Sequence, residues 1–257
     1  MKILHTSDWH LGRSLYSKTD RREEHIAFLN WLLDTIKKES IELLLIAGDI
    51  FDTSTPSSFC QKQYFDFLVN VVQSGCNHIV VVGGNHDSPS LLNAPKGILA
   101  ALNISVVGSI NENTEEQVIV IKDKNNFPTL IICAVPFLRE RDVSRFTEGE
   151  TYADRSKKIN EGIKKHYEHI AKIAEEKRKE FGKDIPIIAT GHLSVAGGKR
   201  NDDDGVRETY IGGIEVVGAD IFPNAFDYVA LGHYHIPSCI KDHIRYCGSP
   251  IPMGFGE

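Results

Sequence analysis

Short apolar runs alternate with amphipathic stretches along this chain, and the alternation predicts a layered α/β fold. The runs are rich in β-branched residues and too short for buried helices, so each predicts a buried strand. They are Ile3–Leu4, Leu43–Ile46, Ile79–Val82, Ile185–Ala189 and Tyr228–Leu231. Residues 21–39 and 57–74 place apolar side chains at spacings of three and four, as on one helix face. Strands alternating with helices predict right-handed crossovers and helices packed over a sheet.

The middle of the chain has a different pattern. Val118–Ile121 and Thr129–Ala134 predict an antiparallel hairpin around the turn-like segment 122–128. Residues 154–181 form the longest helical pattern, and their Lys/Glu-rich positions indicate a solvated face. Residues 194–204, with two glycines and three successive aspartates, predict a loop.

Composition narrows the class of protein. The chain has 257 residues, 41% of them hydrophobic and 25% charged, which suits one α/β domain with a sizeable core. We expect a cytoplasmic protein without a membrane segment, because there is no signal-peptide core and no apolar run near 20 residues. Five scattered cysteines favour reduced thiols. The net charge of −6 argues against a protein that binds nucleic acid through its overall charge alone.

Polar clusters follow the predicted strands. They are Asp8-x-His10, Gly48-Asp49, Asn85-His86-Asp87, Gly191-His192 and Gly232-His233-Tyr234-His235. In an open α/β sheet, the loops at the carboxyl ends of the strands line the ligand crevice, so these clusters can converge on one site. A lone histidine is more often a packed or surface residue. Only the ordered series of clusters therefore supports a metal centre, and the remaining histidines are not assigned to it.

The donor set predicts two divalent cations. Asp49 is the natural bridge, since each carboxylate oxygen can reach one metal. Asp8, His10 and one late histidine can complete the first site, and Asn85, His192 and the other late histidine the second. Nitrogen and oxygen donors without thiolate suit manganese, iron, zinc or cobalt. With Asp8 and Asp49 as the only anionic ligands, the centre keeps a charge of about +2, which favours a phosphate-bearing substrate.

These clusters resemble the motifs of the calcineurin-like metallophosphoesterases. Six segments are more narrowly similar to the SbcD family of bacterial nuclease subunits: ILHTSDWHLG (3–12), AGDIFDT (47–53), PFLRERD (136–142), IIATGHLS (187–194), ALGHYH (230–235) and RYCGSPIP (245–252). The resemblance implies a β-sandwich flanked by helices, two manganese ions and hydrolysis of DNA phosphodiesters. It implies a 3′–5′ double-strand exonuclease and single-strand endonuclease that works with an SbcC-type ATPase subunit in DNA repair and recombination.

The resemblance also implies individual roles. Asp8, His10, Asp49 and His235 would hold one metal, and Asp49, Asn85, His192 and His233 the other. His86 would be the catalytic histidine, with Asp87 orienting it by a hydrogen bond. Residues 1–257 would form the nuclease domain, without the capping and ATPase-docking regions that follow it in the family. A homodimer within a heterotetramer is expected through the helix after the second strand, although Phe65, Phe67, Leu68, Val71 and Val72 there equally suit the chain's own core.

Two other interpretations use the same residues. A phosphatase or cyclic-nucleotide phosphodiesterase would have the same metal centre in a different groove, because fold and metals do not decide the substrate. A non-catalytic scaffold would keep the fold and is expected to lack several ligands or His86. The SbcD-like segments at 136–142 and 245–252 favour the nuclease over the first alternative, and the complete residue set favours it over the second.

Overall fold

Two β-sheets face each other at the centre of the molecule. The computed structural model describes residues 1–15, 19–145, 149–182, 185–199 and 216–254. The first sheet has the order β1-β4-β5-β6 and is parallel throughout. Its strands are β1 (Ile3–Thr6), β4 (Leu43–Ala47), β5 (His78–Val82) and β6 (Ile104–Val107), while β2 (Ser14–Leu15) and β3 (Thr19–Asp20) form a small separate ribbon.

The second sheet is mixed and has the order β11-β12-β10-β9-β8-β7. Its strands are β7 (Val118–Lys122), β8 (Pro128–Cys133), β9 (Ile187–His192), β10 (Tyr228–Gly232), β11 (Ser238–Lys241) and β12 (Ile244–Tyr246). The predicted hairpin is confirmed, because β7 and β8 pair antiparallel. β8, β9, β10 and β12 run parallel, so β9 and β10 end at the same edge.

Helices cover the outer face of each sheet. They are α1 (Arg22–Glu39), α2 (Ser58–Gln73), α3 (Pro89–Asn93), α4 (Lys96–Ala100), α5 (Glu140–Val143) and α6 (Tyr152–Glu180). The apolar faces of α1 and α2 pack on the first sheet, and that of α6 packs on the second. The result is the predicted sandwich flanked by helices, in four layers.

Strand β4 shows how the sequence pattern produces the layers. Successive side chains of a strand point to opposite faces. Leu43, Leu45 and Ala47 pack between the sheets, whereas Leu44 and Ile46 pack under the helices, and all five are fully buried. A strand buried on both faces needs an uninterrupted apolar run, which is the pattern that predicted it.

The observed bounds differ from the predicted ones mainly in the second sheet. β9 begins at Ile187, two residues later than predicted, and continues to His192. Pro186 has no amide hydrogen to give to a ladder, which explains the late start. Strands β6, β11 and β12 were not predicted, and the last two have no extended apolar run. Of the predicted loop at 194–204, residues 200–204 lie outside the described residues.

The apolar residues considered for a dimer contact mostly pack within this chain. Phe67, Leu68 and Val71 are buried in the core beneath α2, and Phe65 and Val72 are partly buried against it. All five cysteines are free, and Cys133 is a fully buried core residue, as expected. Among the described residues, no helix is both long and apolar enough to cross a membrane.

Candidate metal centre

The predicted ligands meet where the two sheets end. Asp8 and His10 follow β1, Asp49 follows β4 and Asn85 follows β5. From the second sheet, His192 is the last residue of β9, and His233 and His235 follow β10. The first two loops lie side by side, since the Asp8 amide donates to the Gly48 carbonyl (3.0 Å) and the His10 amide to the Asp49 carbonyl (3.1 Å).

The backbone is held in an uncommon conformation at several of these residues. Asp8, His10 and Asp49 have φ values of 55°, 46° and 51°, and His233 has a φ of 99°. Non-glycine residues rarely adopt positive φ, and each costs on the order of 1 kcal/mol or more. Such strain persists only where the surrounding structure fixes it, so four predicted ligands are positioned by backbone geometry as well as by side-chain packing.

One group of donors consists of Asp8, His10 and His235. Their ligand atoms lie within 4.8 Å of one another, and all three residues are buried. His10 Nε2 is 3.2 Å from His235 Nε2, and the Asp8 carboxylate accepts hydrogen bonds from the His233 amide at 3.0 and 3.1 Å. A buried carboxylate and two converging imidazole nitrogens match the nitrogen and oxygen preferences of a divalent transition metal.

A second group surrounds Asp49, His192 and Asn85. Asp49 Oδ2 is 3.2 Å from His192 Nε2, and His192 Nε2 is 3.0 Å from Asn85 Oδ1. His233 Nδ1 lies 3.1 Å from the same Asn85 oxygen. The Asp49 carboxylate also lies 3.7 Å from His10 Nε2, so it touches both groups, as a bridging ligand must.

Protonation in the centre leaves several nitrogens available as ligands. Burial lowers the pKa of His10, and burial together with the His192 charge lowers the pKa of His233 to about 3. Both rings are therefore neutral near pH 7 and carry a lone pair. Burial opposes the charge on His192, but the Asp49 carboxylate outweighs it and raises the pKa of His192 to about 9. The His192 ring therefore holds a second proton near pH 7, which a cation bound at Nε2 would displace. Burial likewise opposes the Asp49 charge, and His192 nevertheless holds the pKa of that carboxyl well below its usual range.

A backbone contact sets the orientation of His192. Its Nδ1–H donates to the Ala47 carbonyl at 2.9 Å, which leaves Nε2 directed at Asp49 and Asn85. Metal-binding histidines characteristically donate their other ring N–H in this way. The seven predicted ligands thus fit a pair of divalent cations in donor type and mutual distance, with Asn85 and His233 half-buried and the other five buried.

Glycines allow the loops to approach this closely. A Cβ on Gly84 would lie 2.1 Å from Asp49 Oδ1 and 2.3 Å from the Asp49 amide nitrogen. A Cβ on Gly48, whose φ is 91°, would lie 2.4 Å from His192 Nδ1. No side chain fits at either position without moving a predicted ligand.

His86 lies at the edge of the same cluster. Its amide donates to Asp49 Oδ1 at 2.9 Å, and its ring is 4.8 Å from the His10 ring between centroids. His86 Nδ1 is 2.8 Å from the Asp52 carbonyl oxygen, so Nδ1 carries a hydrogen and Nε2 is the atom available for chemistry.

The expected hydrogen bond from Asp87 to the His86 ring is replaced by a different arrangement. Asp87 is buried and accepts from the amides of Gly84 (2.8 Å), Ile50 (3.2 Å) and Phe51 (3.0 Å). Burial and the nearby Asp49 raise the pKa of Asp87 to about 6. Asp87 therefore joins the loops after β4 and β5, and a peptide carbonyl, not Asp87, orients the His86 ring.

Asp52 also lies in this site, although it is not among the residues predicted for it. Besides its carbonyl contact to His86, its carboxylate lies 3.4 Å from His10 Nδ1 and accepts from Arg13 Nη1 at 3.1 Å. In the sequence, Asp52 is the second acid of Gly48-Asp49-Ile50-Phe51-Asp52, three residues after Asp49. Its position in the sequence alone did not show whether Asp52 would bind a metal or would contact a residue that does.

Comparison with known proteins agrees with this geometry. Residues 1–237 match the calcineurin-like phosphoesterase family, which spans all of the clustered residues. The chain belongs to the calcineurin-like phosphoesterase family. Phosphoesterases of this family use divalent metals, and the groups around Asp8, His10 and Asp49 are the candidate ligands here.

Individual phosphoesterases of the family are similar over the whole chain. The D subunit of nuclease SbcCD from Escherichia coli (strain K12) is 41% identical over 259 aligned residues, covering 100% of this chain and 62% of that protein. The proteins of the same name from Rhodobacter capsulatus and Bacillus subtilis are 33% and 32% identical, and 64% and 63% of their lengths are covered. The expected resemblance and fold class are confirmed, and the chain spans less than two thirds of the length of these relatives.

Proposed function

We propose that this chain is the catalytic part of a DNA nuclease that hydrolyses phosphodiester bonds with two divalent cations. The observation that carries the proposal is the convergence of seven metal-type donors, five of them buried and two half-buried, with His86 beside them. Similarity over the whole chain to proteins named as the D subunit of nuclease SbcCD supports DNA as the substrate. A phosphodiesterase that has the same centre and acts on small esters is the alternative outcome of the experiment below.

In this proposal, the ligands divide into two sets that share Asp49. Asp8, His10 and His235 hold one cation with it, and Asn85, His192 and His233 hold the other. Bound there, the two cations supply an activated water and neutralise the charge that develops on the phosphoryl oxygens. Manganese is the proposed metal: the donor set suits manganese, iron, zinc and cobalt alike, and the resemblance to the SbcD nuclease subunits favours manganese among them.

His86 is proposed to act on the leaving sugar oxygen. Because its Nδ1–H is used by the Asp52 carbonyl, the ring can give up a proton only from Nε2, and only as the imidazolium. Proton transfer from a positioned side chain contributes about 10²–10⁴-fold to the rate. Asp52 thereby acts as a positioning residue for both His86 and His10.

The proposed partners are DNA, an SbcC-type ATPase and a second copy of this chain. The relatives' name, which makes each a part of SbcCD, supports the ATPase partner. For a second copy, Trp31 on α1 and Val69 on α2 offer exposed apolar surface, at 61% and 42% exposure. With a formal net charge of −6, the chain needs the cations and local arginines to attract DNA.

The test compares substrates and variants under one set of conditions. Purified protein is incubated with manganese and with labelled single- or double-stranded DNA, in the presence and absence of the ATPase, and with bis(p-nitrophenyl) phosphate. We expect DNA cleavage by the wild-type chain and a loss of about 10²-fold or more in His86→Gln, with metal binding retained.

His169→Gln is the matched control, since His169 lies exposed on α6 beyond the second sheet. It should cleave at the wild-type rate. Hydrolysis of bis(p-nitrophenyl) phosphate without DNA cleavage under any condition would replace the nuclease by a phosphodiesterase that acts on small esters. Wild-type cleavage by His86→Gln would remove the role proposed for that residue.

A further inference from the structure

An arginine and a phenylalanine form a platform beside the metal centre. The Phe137 ring lies 6.4 Å from the ring of the predicted ligand His192, edge to face. The guanidinium carbon of Arg139 lies 5.9 Å from the centroid of the same Phe137 ring. Through Phe137, the cationic side chain of Arg139 is therefore packed at the edge of the metal centre.

The segment that carries this platform is firmly held. The Phe137 amide donates to the Gly83 carbonyl (2.8 Å), beside the loop that bears Asn85. The side chain of Leu138 is buried in the core. The Arg139 amide donates to Asp142 Oδ2 (3.0 Å), which fixes the backbone at the start of α5. These contacts fix the backbone position from which the Arg139 side chain extends.

The charge of Arg139 is uncompensated within the described ranges. Arg13 pairs with Asp52 at 3.1 Å and Arg141 lies 3.8 Å from Asp142, but no carboxylate of a described residue pairs with the Arg139 guanidinium. Stacking on an aromatic ring limits its motion and leaves its donor edge free. An unpaired, half-buried cation next to a centre that gathers dications is electrostatically unfavourable unless an anion comes between them.

We propose that Arg139, stacked on Phe137, binds the backbone phosphate next to the one that is cleaved. A guanidinium presents paired N–H donors that match a phosphate, and a phosphodiester strand carries a charge at every nucleotide. A small phosphate ester has no second phosphate to reach this position. Arg139 is thus a specificity-determining residue that favours a nucleic-acid strand over a simple ester, and the inference rests on the proposed nuclease function.

Binding is the first test, because it does not depend on cleavage. In a His86→Gln background with manganese, the anisotropy of a labelled single-stranded oligonucleotide is followed over a range of salt concentrations. Arg139→Gln should weaken binding about tenfold and reduce the slope of log affinity against log salt by about 0.7. The affinity of Arg139→Lys should lie between that of Arg139→Gln and that of the protein with Arg139 intact, since lysine keeps the charge but lacks the planar guanidinium.

Arg141→Gln is the matched control. Arg141 lies in α5, directly after the N-cap residue Arg139 and Glu140, and its side chain is 81% exposed with Nε 3.8 Å from Asp142 Oδ1. It should leave binding, salt slope and cleavage unchanged. If Arg139→Gln binds DNA with the affinity and slope of Arg141→Gln, the inference is wrong. A lower unfolding temperature with an unchanged slope would mean a structural role and would overturn it equally.

Kinetics separate this inference from the function on which it rests. In the His86-intact chain, Arg139→Gln should raise KM for DNA about tenfold more than KM for bis(p-nitrophenyl) phosphate. DNA cleavage without an Arg139 effect overturns the inference alone. An Arg139-dependent salt slope in a chain that never cleaves DNA overturns the proposed catalysis and leaves the phosphate contact supported.

Discussion

Gly84→Ala is the sharpest single perturbation of this site. The added methyl would lie 2.1 Å from Asp49 Oδ1 and 2.3 Å from the Asp49 amide nitrogen, whereas real Cβ atoms essentially never approach another heavy atom within 3.0 Å. Both contacts are too short, so Asp49 and the residue at position 84 must move apart by about 1 Å. The amide belongs to backbone already held at a φ of 51°, so the strain falls on the Asp49 side chain and the loop that carries it.

The size of the effect follows from that displacement. A misplacement of about 1 Å in a catalytic arrangement costs roughly 10²-fold in rate, and overpacking costs about 1–3 kcal/mol of unfolding free energy. We expect Gly84→Ala to lose about 10²-fold in DNA cleavage and to bind manganese more weakly, while remaining folded. Calorimetric titration of manganese, initial cleavage rates and a thermal melt measure the three quantities.

Gly97→Ala is the control for adding a methyl group. Gly97 lies in α4, and an added Cβ there meets no atom within 4 Å. Alanine should stabilise this helix by about 0.5–1 kcal/mol and leave activity unchanged. If Gly84→Ala keeps manganese affinity and cleavage within about threefold of Gly97→Ala, close backbone approach does not position Asp49 as the contact predicts.

Three further predictions concern other parts of the chain. Asp52→Asn keeps the backbone carbonyl that contacts His86 but removes the charge beside His10 Nδ1. Manganese affinity, measured by calorimetry, should therefore fall about 10–100-fold while the protein stays folded. Unchanged affinity would contradict a role of the Asp52 carboxylate in positioning His10. Burial lowers the pKa of His166 to about 4, so the neutral ring stabilises the fold fully above about pH 6.5, and the contribution is lost as the pH falls towards 4. Over that interval, urea unfolding should show that the wild-type protein loses roughly 1–2 kcal/mol more than His166→Gln, a difference already reduced for partial solvent exposure. An equal slope in both proteins would refute the assignment. Leu45→Ala, fully buried between the sheets, should cost about 2–5 kcal/mol in the same measurement, whereas a cost below about 1 kcal/mol would contradict tight packing there.

The parts of the fold that the sequence predicted are those with strong apolar periodicity. β4 and β5 are buried on both faces, so their uninterrupted apolar runs predicted them directly. β11 and β12 are short and partly exposed strands that depend on pairing with each other and with β10. Their stability comes from partners distant in the chain, which no local pattern encodes.

Some features of the site were likewise predictable from the sequence, and others were not. The convergence of the candidate ligands was predictable because loops at the carboxyl ends of strands meet at one edge, as those after β1, β4 and β10 do. The roles of Asp52 and Asp87 were not predictable, because they depend on which atoms of neighbouring loops point at each other. A carbonyl contact such as that from Asp52 to His86 leaves no trace in residue identity.

Cleavage of DNA as a function of manganese bound per chain tests the central claim most directly. Metal-free protein is titrated with manganese, the bound metal is counted, and the initial rate on labelled single-stranded DNA is measured at each point, with Asp49→Asn in parallel. We predict no cleavage without metal, a rate that rises as the second equivalent binds, and loss of both tight binding and cleavage in Asp49→Asn. Cleavage by the metal-free chain, or undiminished binding and cleavage in Asp49→Asn, would contradict a two-metal centre bridged by Asp49.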